Sequence, residues 1–493
     1  MKSRIGIIGS GLGGLSAAIR LASAGYEVEI FESNEYPGGK ASSIEFDGFR
    51  FDSGPSLLTM PFVLENLFHE AGEKLSDYIN LKKMDIICRY FYPDSTILNA
   101  YSDINKFATE VENNTSDSGQ SVLEYLEYCK RIYELTAELF LFKSPSQIRT
   151  FFNLKAIKAL LNINQIDSFR TMDKSNRRFF KDERVIQLFN RYATYNGSDP
   201  YQAPATLNII QHVEYNLGAY LPQKGIYEIT HALFDLAKKK NVKFNFNTEV
   251  TSIITEDRSV KAIKTENGSH SFDAIISNAD VNSTFHNLLN DDSSPEAKRY
   301  KNLEPSLSGL VFYWAIDAQC PRLEVHNILF SSNYKKEFED IFERGVIPED
   351  PTIYIYISSK YCSSDAPPGK ENWFVMVNTP FIKDQNWNTE IVSTRDRIIN
   401  KINSTLGINI ENKILAERIL SPVDIQNKTG SRRGSIYGIS SNNRRAAFLR
   451  QPNKSRSYKN LYFCGGSAHP GGGIPLVILS GKIASELIKN DLE

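Results

Sequence analysis

The sequence has few of the residues that carry the commoner kinds of enzyme chemistry. Its five cysteines are scattered over 493 residues without a C-x-x-C pair, and its seven histidines show no metal-ligand spacing. Neither H-E-x-x-H nor G-x-S-x-G occurs. These absences argue against a zinc site and against a serine-hydrolase elbow. The unpaired cysteines indicate free thiols in a reducing compartment.

Strong net charge and long apolar runs are also missing. Lysine plus arginine number 57 against 58 aspartate plus glutamate, so the charge balance gives no reason to expect nucleic-acid binding. No run approaches the roughly 18 uninterrupted apolar residues of a membrane-spanning helix. Glycines cut the apolar run behind Lys2 and Arg4, which is typical of a strand and not of a signal peptide. We expect a cytoplasmic protein, with attachment to a membrane face left open.

The first 32 residues predict a complete β-α-β unit that binds a dinucleotide. A buried strand over 4–8 precedes G-x-G-x-x-G at Gly9, Gly11 and Gly14, and a helix and a second strand lead to Glu32. The three glycines allow a tight turn, close approach of a pyrophosphate, and close packing of the helix on the strand. Glu32 is placed to bind ribose hydroxyls. The pattern does not say which dinucleotide is bound, and an ordinary glycine-rich turn is the alternative.

Further motifs follow this unit and give a family resemblance. The runs PGGKA at 37–41 and FRFDSGPS at 49–56, together with the glycine fingerprint and Glu32, resemble the FAD domain of flavin amine oxidases, protoporphyrinogen oxidases and carotenoid desaturases. The resemblance implies FAD in a Rossmann-like α/β domain of the flavin amine oxidase or glutathione reductase-2 type. Lys40 would add a cation beside the diphosphate. Taken alone, it would be a solvent-facing loop lysine.

The C-terminal part predicts a second cofactor-facing loop. A strand at 460–464 leads into the glycine-rich run GGSAHPGGG at 465–473, and a helix starts at Ile474. A helix N-terminus behind such a loop suits an anion or a ring, whereas the alternative is a generic loop–helix turn. In FAD enzymes of this kind the segment brings N–H groups to the flavin edge on which negative charge grows during reduction.

The distance between the two glycine loops predicts a nucleotide domain built from separate segments, and 493 residues allow about two or three domains. A mixed sheet with helices would form the substrate domain, with strands at 307–316, 353–358 and 373–378. A strand pair is expected at 243–250 and 251–255. We predict FAD-domain parts at 1–85, 217–295 and 421–493, and substrate-domain parts at 86–216 and 296–420.

One segment of the helical section, 143–181, is strongly basic. It holds nine basic residues against two acidic ones, with large apolar residues such as Phe151, Phe152 and Leu154 between them. This alternation suits a helix that lies on an anionic membrane surface. It fits a basic solvated face over an internal apolar stripe equally well, and the sequence leaves both interpretations open.

Four stretches extend the resemblance over nearly the whole chain. They are LFNRYATYNGSDPYQAPAT at 188–206, GAYLPQKGIYEIT at 218–230, IISNAD at 275–280 and LYFCGGSAHPGGGIPLVILSGK at 461–482. They resemble bacterial-type carotenoid desaturases of the phytoene desaturase family, and GGSAHPGGGIPL is most similar to the hydroxycarotenoid 3,4-desaturase branch. The polar, basic run at 442–445 departs from this family and leaves the shape of that side of the pocket open.

The resemblance implies a reaction in which FAD carries the hard step. An allylic C–H of a 1-hydroxylated acyclic or monocyclic carotenoid, such as 1'-hydroxy-gamma-carotene, would transfer hydride to N5 of the flavin, and the adjacent proton would leave. The protein would hold the correct carbon in a long apolar tunnel. No catalytic base is predicted. Glu214, Asp199, Tyr195 and His469 are candidates, and a structural hydrogen bond is the alternative for each.

The resemblance also implies which residues contact FAD. Val250 would meet the adenine side through its backbone, and Asn278 would end a strand near the cofactor. The full predicted set is Gly9, Gly11, Gly14, Glu32, Lys40, Ser56, Leu57, Val250, Asn278, Ser467 and Val477. Carotenoid and an anionic membrane surface are the predicted partners, without a metal or nucleic acid. The sequence names neither the electron acceptor nor the oligomeric state.

Three other functions stay open at this stage. They are a phytoene- or lycopene-type desaturase, a flavin oxidase of another apolar substrate such as a porphyrinogen or an amine, and a non-enzymatic prenyl-protein escort. Cys464 precedes its glycine loop, which is a poor position for a covalent flavin link. Both flavin-facing segments, 9–32 and 465–477, are intact and favour a working cofactor over the escort.

Overall fold

The computed structural model of the protein describes residues 2–144, 166–443 and 450–492. Within them lie the following strands: β1 Arg4–Ile8, β2 Glu27–Phe31, β3 Ser42–Phe46, β4 Phe49–Ser53, β5 Leu58–Thr59, β6 Leu81–Lys83, β7 Ile86–Phe91, β8 Ile97–Tyr101, β9 Ala219–Pro222, β10 Lys243–Asn245, β11 Val250–Glu256, β12 Ser259–Thr265, β13 Gly268–Ser271, β14 Ala274–Ser277, β15 Ser308–Ile316, β16 His326–Leu329, β17 Ile353–Tyr356, β18 Glu371–Thr379, β19 Ile414–Leu420 and β20 Leu461–Phe463.

The helices of the same residues are α1 Leu12–Ser23, α2 Phe62–Glu70, α3 Ile104–Asn114, α4 Gly119–Phe140, α5 Met172–Asn176, α6 Glu183–Asn190, α7 Ile209–Gln211, α8 Tyr227–Lys239, α9 Val281–Ser283, α10 Pro295–Asn302, α11 Tyr334–Phe338, α12 Trp387–Leu406, α13 Pro422–Thr429 and α14 Ile474–Leu492. Short 3₁₀ or π turns extend several of them, including Arg191–Asn196 and His212–Asn216. No helix among the described residues is long and apolar enough to cross a membrane.

A parallel five-stranded sheet, in the order β10-β2-β1-β14-β20, carries the glycine fingerprint at the end of β1. Its strands come from three distant parts of the chain, as the two separate glycine loops predicted. Alternate residues of β1 face opposite layers. Ile5 and Ile7 pack into the cluster with α1, α8 and α14, whereas Ile8 packs with β11–β13. A Cβ at Gly6 would come within 2.7 Å of the Ile263 side chain on β12, so the β11–β13 layer lies directly on β1.

A second sheet of seven strands has the order β19-β15-β18-β17-β16-β7-β8. Only β16 and β7 pair in parallel among these strands, and the other neighbours are antiparallel. All nine residues of β15 are buried because both faces are covered. Phe312 and Trp314 pack with α12 on one face, and Val311 and Tyr313 pack with Phe374 on the other. The three strands predicted here are confirmed as β15, β17 and β18.

One predicted pairing is wrong. The segments 243–250 and 251–255 do not pair with each other. Instead, β10 joins the edge of the parallel sheet beside β2, and β11 starts at Val250 and pairs with β12 in a separate antiparallel layer. The reason is a change of layer at 246–249, where Thr248 N–H donates to the Glu32 carbonyl and turns the chain away from the first sheet.

Candidate functional site

A cavity of about 1070 Å³ lies between the two sheets. Its nucleotide side is formed where β1, β2, β14 and β20 end, at residues 8–13, 31–34, 278–280 and 465–467. Its other side is formed by the face of the seven-stranded sheet that carries Val311, Phe374 and Met376. Ligands of open α/β sheets bind beyond the carboxyl ends of the parallel strands. The cavity is therefore the candidate site.

The glycine fingerprint has the tight turn at Gly9 and the close helix packing at Gly14 that the sequence predicted. Gly9 has φ +90, which is left-handed backbone that suits glycine. A Cβ at Gly14 would lie 2.3 Å from the Gly9 carbonyl oxygen, so α1 packs directly on the turn. A Cβ at Gly11 would lie 2.8 Å from Nδ2 of Asn278. Gly9 and Gly11 line the cavity, whereas Gly14 lies behind them.

Glu32 lies buried at the end of β2 and lines the cavity. Its Oε2 accepts hydrogen bonds from the main-chain N–H and the hydroxyl of Ser10, each at 2.8 Å. Its Oε1 accepts from the main-chain N–H of Asn34 at 3.0 Å and from the Asn34 side chain at 2.7 Å. The carboxylate is thus fixed as an acceptor beside the glycine loop, where a ribose hydroxyl can exchange for a side-chain donor.

Lys40 enters the cavity from the PGGKA loop. Its ammonium group donates to the main-chain carbonyls of Ser435 and Ile436, at 3.3 and 2.7 Å. Burial lowers the pKa of Lys40 to about 8, and the nearby charge of Asp280 partly opposes that shift. The structure therefore places Lys40 in the cavity wall and not in solvent.

The second glycine loop closes the same side. The Ser467 hydroxyl accepts a hydrogen bond from the Val281 N–H at 3.1 Å, and Gly465 N–H donates to the Ser480 hydroxyl on α14. The buried guanidinium of Arg450 donates to the carbonyls of Tyr437 and Gly466, at 2.7 and 3.0 Å. These bonds tie the loop to α9, to α14 and, through Arg450, to the segment at Tyr437, and so fix its shape.

The predicted cofactor-contact residues converge on this cavity. Ten of the eleven line it: Gly9, Gly11, Glu32, Lys40, Ser56, Leu57, Val250, Asn278, Ser467 and Val477. Asn278 also supports the loop itself, because its Nδ2 donates to the Gly9 carbonyl at 3.2 Å. The individual contacts with FAD stay predictions.

Comparison with known proteins identifies the family. The chain matches the model of the flavin containing amine oxidoreductases over residues 12–489. The chain belongs to this family. Among its relatives, a 1-hydroxycarotenoid 3,4-desaturase from a Flavobacterium species is 44% identical over 490 residues, which cover 99% of each chain. A 4,4'-diaponeurosporene oxygenase from Staphylococcus haemolyticus is 33% identical and covers 100% of this chain and 98% of its own.

Solved structures of the family show the same fold. Cyclohexylamine oxidase from Brevibacterium oxydans superposes with a TM-score of 0.63 at 15% identity, over 100% of both chains. The predicted fold class is therefore confirmed, and the protein is an FAD-dependent oxidoreductase like other members of the family.

The cavity fits FAD on its own geometry. Gly9, Gly11 and Gly13 line the cavity, so main chain without side chains faces it where a diphosphate would lie. A Cβ at Gly11 or at Gly13 would lie 2.8 Å from atoms of Asn278 or Gly465, so only glycine lets the loop pack this closely on its other side. The cap of α1 at Gly11 makes no side-chain hydrogen bond, which leaves the first N–H groups of the helix available to an anion. Glu32 would supply the acceptor for the ribose, and the main-chain N–H groups of Gly466 and Ser467 would be the donors at the other end.

The four candidates for a proton acceptor differ in their positions. Tyr195 and His469 line the cavity, whereas Glu214 and Asp199 do not. Glu214 is buried and accepts hydrogen bonds from the hydroxyls of Tyr192 and Tyr195, at 2.6 and 2.7 Å. Asp199 accepts from the N–H of Tyr201, and burial raises its pKa to about 6. Both carboxylates are committed to protein donors.

His469 is held as a neutral ring. Its Nε2 lies 2.9 Å from the Lys143 carbonyl oxygen, and burial lowers its pKa to about 4. A neutral imidazole donates to that carbonyl through Nε2–H. The structural hydrogen bond considered for His469 is thus present, and it leaves Nδ1 as the acceptor on the ring.

Several polar residues of the cavity wall were not predicted. His326 Nδ1 lies 2.7 Å from the Tyr354 hydroxyl, which lies 2.6 Å from the hydroxyl of the predicted residue Ser56. Arg191 is buried and lines the cavity beside them. Arg191 stands within a stretch that carries the family resemblance, but its partners are distant in sequence, so the motif alone gave no role. His326 and Tyr354 lie on strands without any local signal.

Proposed function

We propose that the protein is a carotenoid 3,4-desaturase that acts on a 1-hydroxylated acyclic or monocyclic carotenoid. The observation that carries the proposal is that the two glycine loops and an apolar wall line the same cavity. The 44% identity to a 1-hydroxycarotenoid 3,4-desaturase over 99% of both chains supports the same substrate class.

The apolar wall is suited to position a polyene. Side chains from both sheets and from the helical section contribute to it: Ile44, Ile87, Ile209, Ile210, Val213, Val311, Ile328, Phe374, Met376 and Leu420. Such a surface binds a conjugated hydrocarbon without competing hydrogen bonds and excludes water from the reacting carbons. The length of a carotenoid then makes its position along the wall the main determinant of which bond reacts.

When bound, FAD supplies the two-electron acceptor for the allylic C–H bond. The residues of the chain supply placement and an environment for proton loss. Glu214 and Asp199 are already hydrogen-bonded and do not line the cavity, whereas His469 lines it and bonds the Lys143 carbonyl through Nε2, which leaves Nδ1 as the acceptor of the neutral ring. A proton next to a polyene cation is strongly acidic, so a weak acceptor of this kind is sufficient.

The experiment that tests this proposal compares three substrates in one host. The chain is expressed in cells that accumulate phytoene, lycopene or a 1-hydroxylated carotenoid, and the pigment spectra are read for added conjugation. A red shift with only the hydroxylated pigment is expected. A shift that starts from phytoene would assign an early desaturase instead. No shift despite bound flavin would indicate an oxidase of another substrate. A Gly11→Leu variant, which blocks the nucleotide loop, is the matched inactive control.

We also propose that the protein attaches to an anionic membrane surface through the segment 143–181. Residues 145–165 of this segment lie outside the described residues. In the described part, Phe169 is 66% exposed and Lys174 is exposed, which supports the proposal. Against it, Arg177 pairs with Asp173 and Glu183. Part of the positive charge is therefore already neutralised within the fold.

A further inference from the structure

A buried cation forms part of the cavity wall at the end of α6. Arg191 Nε donates to the Tyr90 hydroxyl at 2.8 Å, and Nη2 lies 3.3 Å from Oε1 of Glu214. The guanidinium carbon lies 4.3 Å from the ring centroid of Tyr192 and 5.2 Å from those of Tyr90 and Tyr195. Three aromatic rings and one carboxylate thus stabilise this buried charge.

The hydrogen bonds of Arg191 to Tyr90 and Glu214 do not use all of its N–H donors. An arginine has five N–H groups. The bonds to Tyr90 and Glu214 use two of them, and a contact with the Tyr195 hydroxyl uses at most one more. At least two N–H groups therefore have no acceptor among the residues that the structure describes. Arg191 lines the cavity, so this donor capacity is on the substrate side of the fold.

The surroundings make this cation unusual. Of the described residues in 86–216 that line the cavity, only Arg191 carries a charge. Apolar residues such as Ile87, Ile209 and Val213 belong to the same part of the lining. A pure hydrocarbon placed against it would leave the spare N–H groups without an acceptor. A buried donor without an acceptor is costly, whereas a hydrogen bond from a charged donor is among the stronger ones in proteins.

We infer that Arg191 recognises the hydroxyl group of the substrate and so sets the register of the polyene in the cavity. This inference rests on the proposed function, since it requires a carotenoid that carries a hydroxyl group. The alcohol oxygen would accept a hydrogen bond from the spare guanidinium N–H groups. Glu214 balances the charge of Arg191, so the pair brings a donor to the polyene without adding net charge beside it.

The position of Arg191 agrees with the chemistry of such a substrate. In a 1-hydroxylated carotenoid the oxygen is on carbon 1, only two bonds from carbon 3 of the 3,4 bond. The residue that binds the oxygen must therefore lie close to the reacting end of the cavity. Burial lowers the pKa of His326, and the charge of the nearby Arg191 lowers it further. His326 connects through Tyr354 to Ser56, one of the predicted cofactor-contact residues.

The test must separate recognition from the structural role of an ion pair. Removing Arg191 alone would leave Glu214 as an unpaired buried charge and endanger folding. The informative variant is the double change Arg191→Met with Glu214→Gln, because the amide keeps hydrogen-bonding partners for Tyr192 and Tyr195. Glu214→Gln alone is the matched control, since it keeps the guanidinium, whose charge the rings of three tyrosines and the amide oxygen still stabilise. FAD content and melting temperature establish that each protein is folded.

The measurement is the Kd of the FAD-loaded protein for two ligands, a 1-hydroxylated carotenoid and the hydrocarbon of the same length, by quenching of flavin fluorescence. For the double variant we expect the Kd of the hydroxylated ligand to rise about tenfold to a hundredfold, the range for a lost charge-assisted hydrogen bond. The Kd of the hydrocarbon should change little. The Glu214→Gln control should keep the preference for the hydroxylated ligand.

Two results would overturn the inference. One is an equal change of both Kd values in the double variant, which is what a structural ion pair would give. The other is a wild-type protein that binds both ligands equally well. Failure of the proposed function has a different signature, because it appears as wild-type protein that binds the hydroxylated ligand selectively and yet adds no double bond to it.

Discussion

Glu32 holds Ser10 through two hydrogen bonds, one to the main-chain N–H and one to the hydroxyl, each 2.8 Å long. Ser10 stands between Gly9 and Gly11, so a carboxylate at the end of β2 fixes the loop at the end of β1. The residue predicted to bind ribose therefore also shapes the surface that faces the diphosphate. Changing it should affect both parts of the nucleotide.

We expect Glu32→Ala to weaken FAD binding by on the order of 1.5–3 kcal/mol, which is the range for lost charge-assisted hydrogen bonds. The Kd for FAD of the apoprotein measures this, by quenching of flavin fluorescence on binding. Glu27→Ala is the control, because Glu27 lies exposed at the start of the same strand and does not line the cavity. Equal FAD affinity in wild type and Glu32→Ala would remove the role assigned to Glu32.

Gly14→Ala should destabilise the protein even without cofactor. The new methyl group would lie 2.3 Å from the Gly9 carbonyl oxygen, and both are backbone positions that cannot rotate away. Overpacking of this kind costs about 1–3 kcal/mol, so a lower melting temperature of the apoprotein is expected. In Gly466→Ala the nearest atom to the methyl group is 3.7 Å away, and its melting temperature should stay close to that of wild type. A similar melting temperature for both variants would contradict this account.

The local parts of the fold were predictable because their signals are contiguous. The strand at 4–8, the glycine fingerprint and Glu32 fall within one β-α-β unit, and the structure has them as β1, α1 and β2. Strand β15 was equally clear, since residues 310–316 are an unbroken run of apolar and aromatic residues, and the structure buries the whole strand. Pairing between distant strands was harder to predict. The strand that starts at Val250 pairs with β12 and not with β10, and only the turn at 246–249 decides between them.

The polar side of the cavity could not be predicted for the same reason. Arg191 meets Tyr90 from a strand 101 residues away and Glu214 from a turn 23 residues away. No local pattern relates the three positions. Glycine loops can be recognised in sequence because their glycines stand at fixed spacing within one β-α-β unit, whereas a buried ion pair depends on how whole elements pack. The family resemblance pointed to the stretch around Arg191 but not to its contacts.

The lowered pKa of Lys40 predicts that FAD binding depends on pH. Its pKa is about 8 in the protein without cofactor. If its ammonium group lies beside the diphosphate, the pKa in the complex is higher than in the apoprotein. Below about pH 8 the Lys40 side chain is charged with and without FAD, so the affinity for FAD does not change with pH. Above pH 8 the affinity falls by at most about tenfold per pH unit. The Kd for FAD between pH 7 and 9.5 measures the slope, and Lys40→Met should flatten it. If wild type and Lys40→Met gave the same slope, Lys40 would have no role beside the diphosphate and would only hold the carbonyls of Ser435 and Ile436.

Membrane attachment makes a prediction that depends on charge and not on folding. Lys155→Glu with Lys158→Glu reverses two charges of the segment 143–181, and each lysine near an anionic surface contributes about 1 kcal/mol. Binding to vesicles that contain anionic phospholipid should therefore weaken by at least about thirtyfold. Lys261→Glu with Lys264→Glu makes the same charge change on two exposed residues of β12 and should bind these vesicles as wild type does. Sedimentation with vesicles measures both, and FAD content shows that the variants are folded. Equal losses in the two variants would attribute vesicle binding to overall charge, and the segment would then be a solvated basic face.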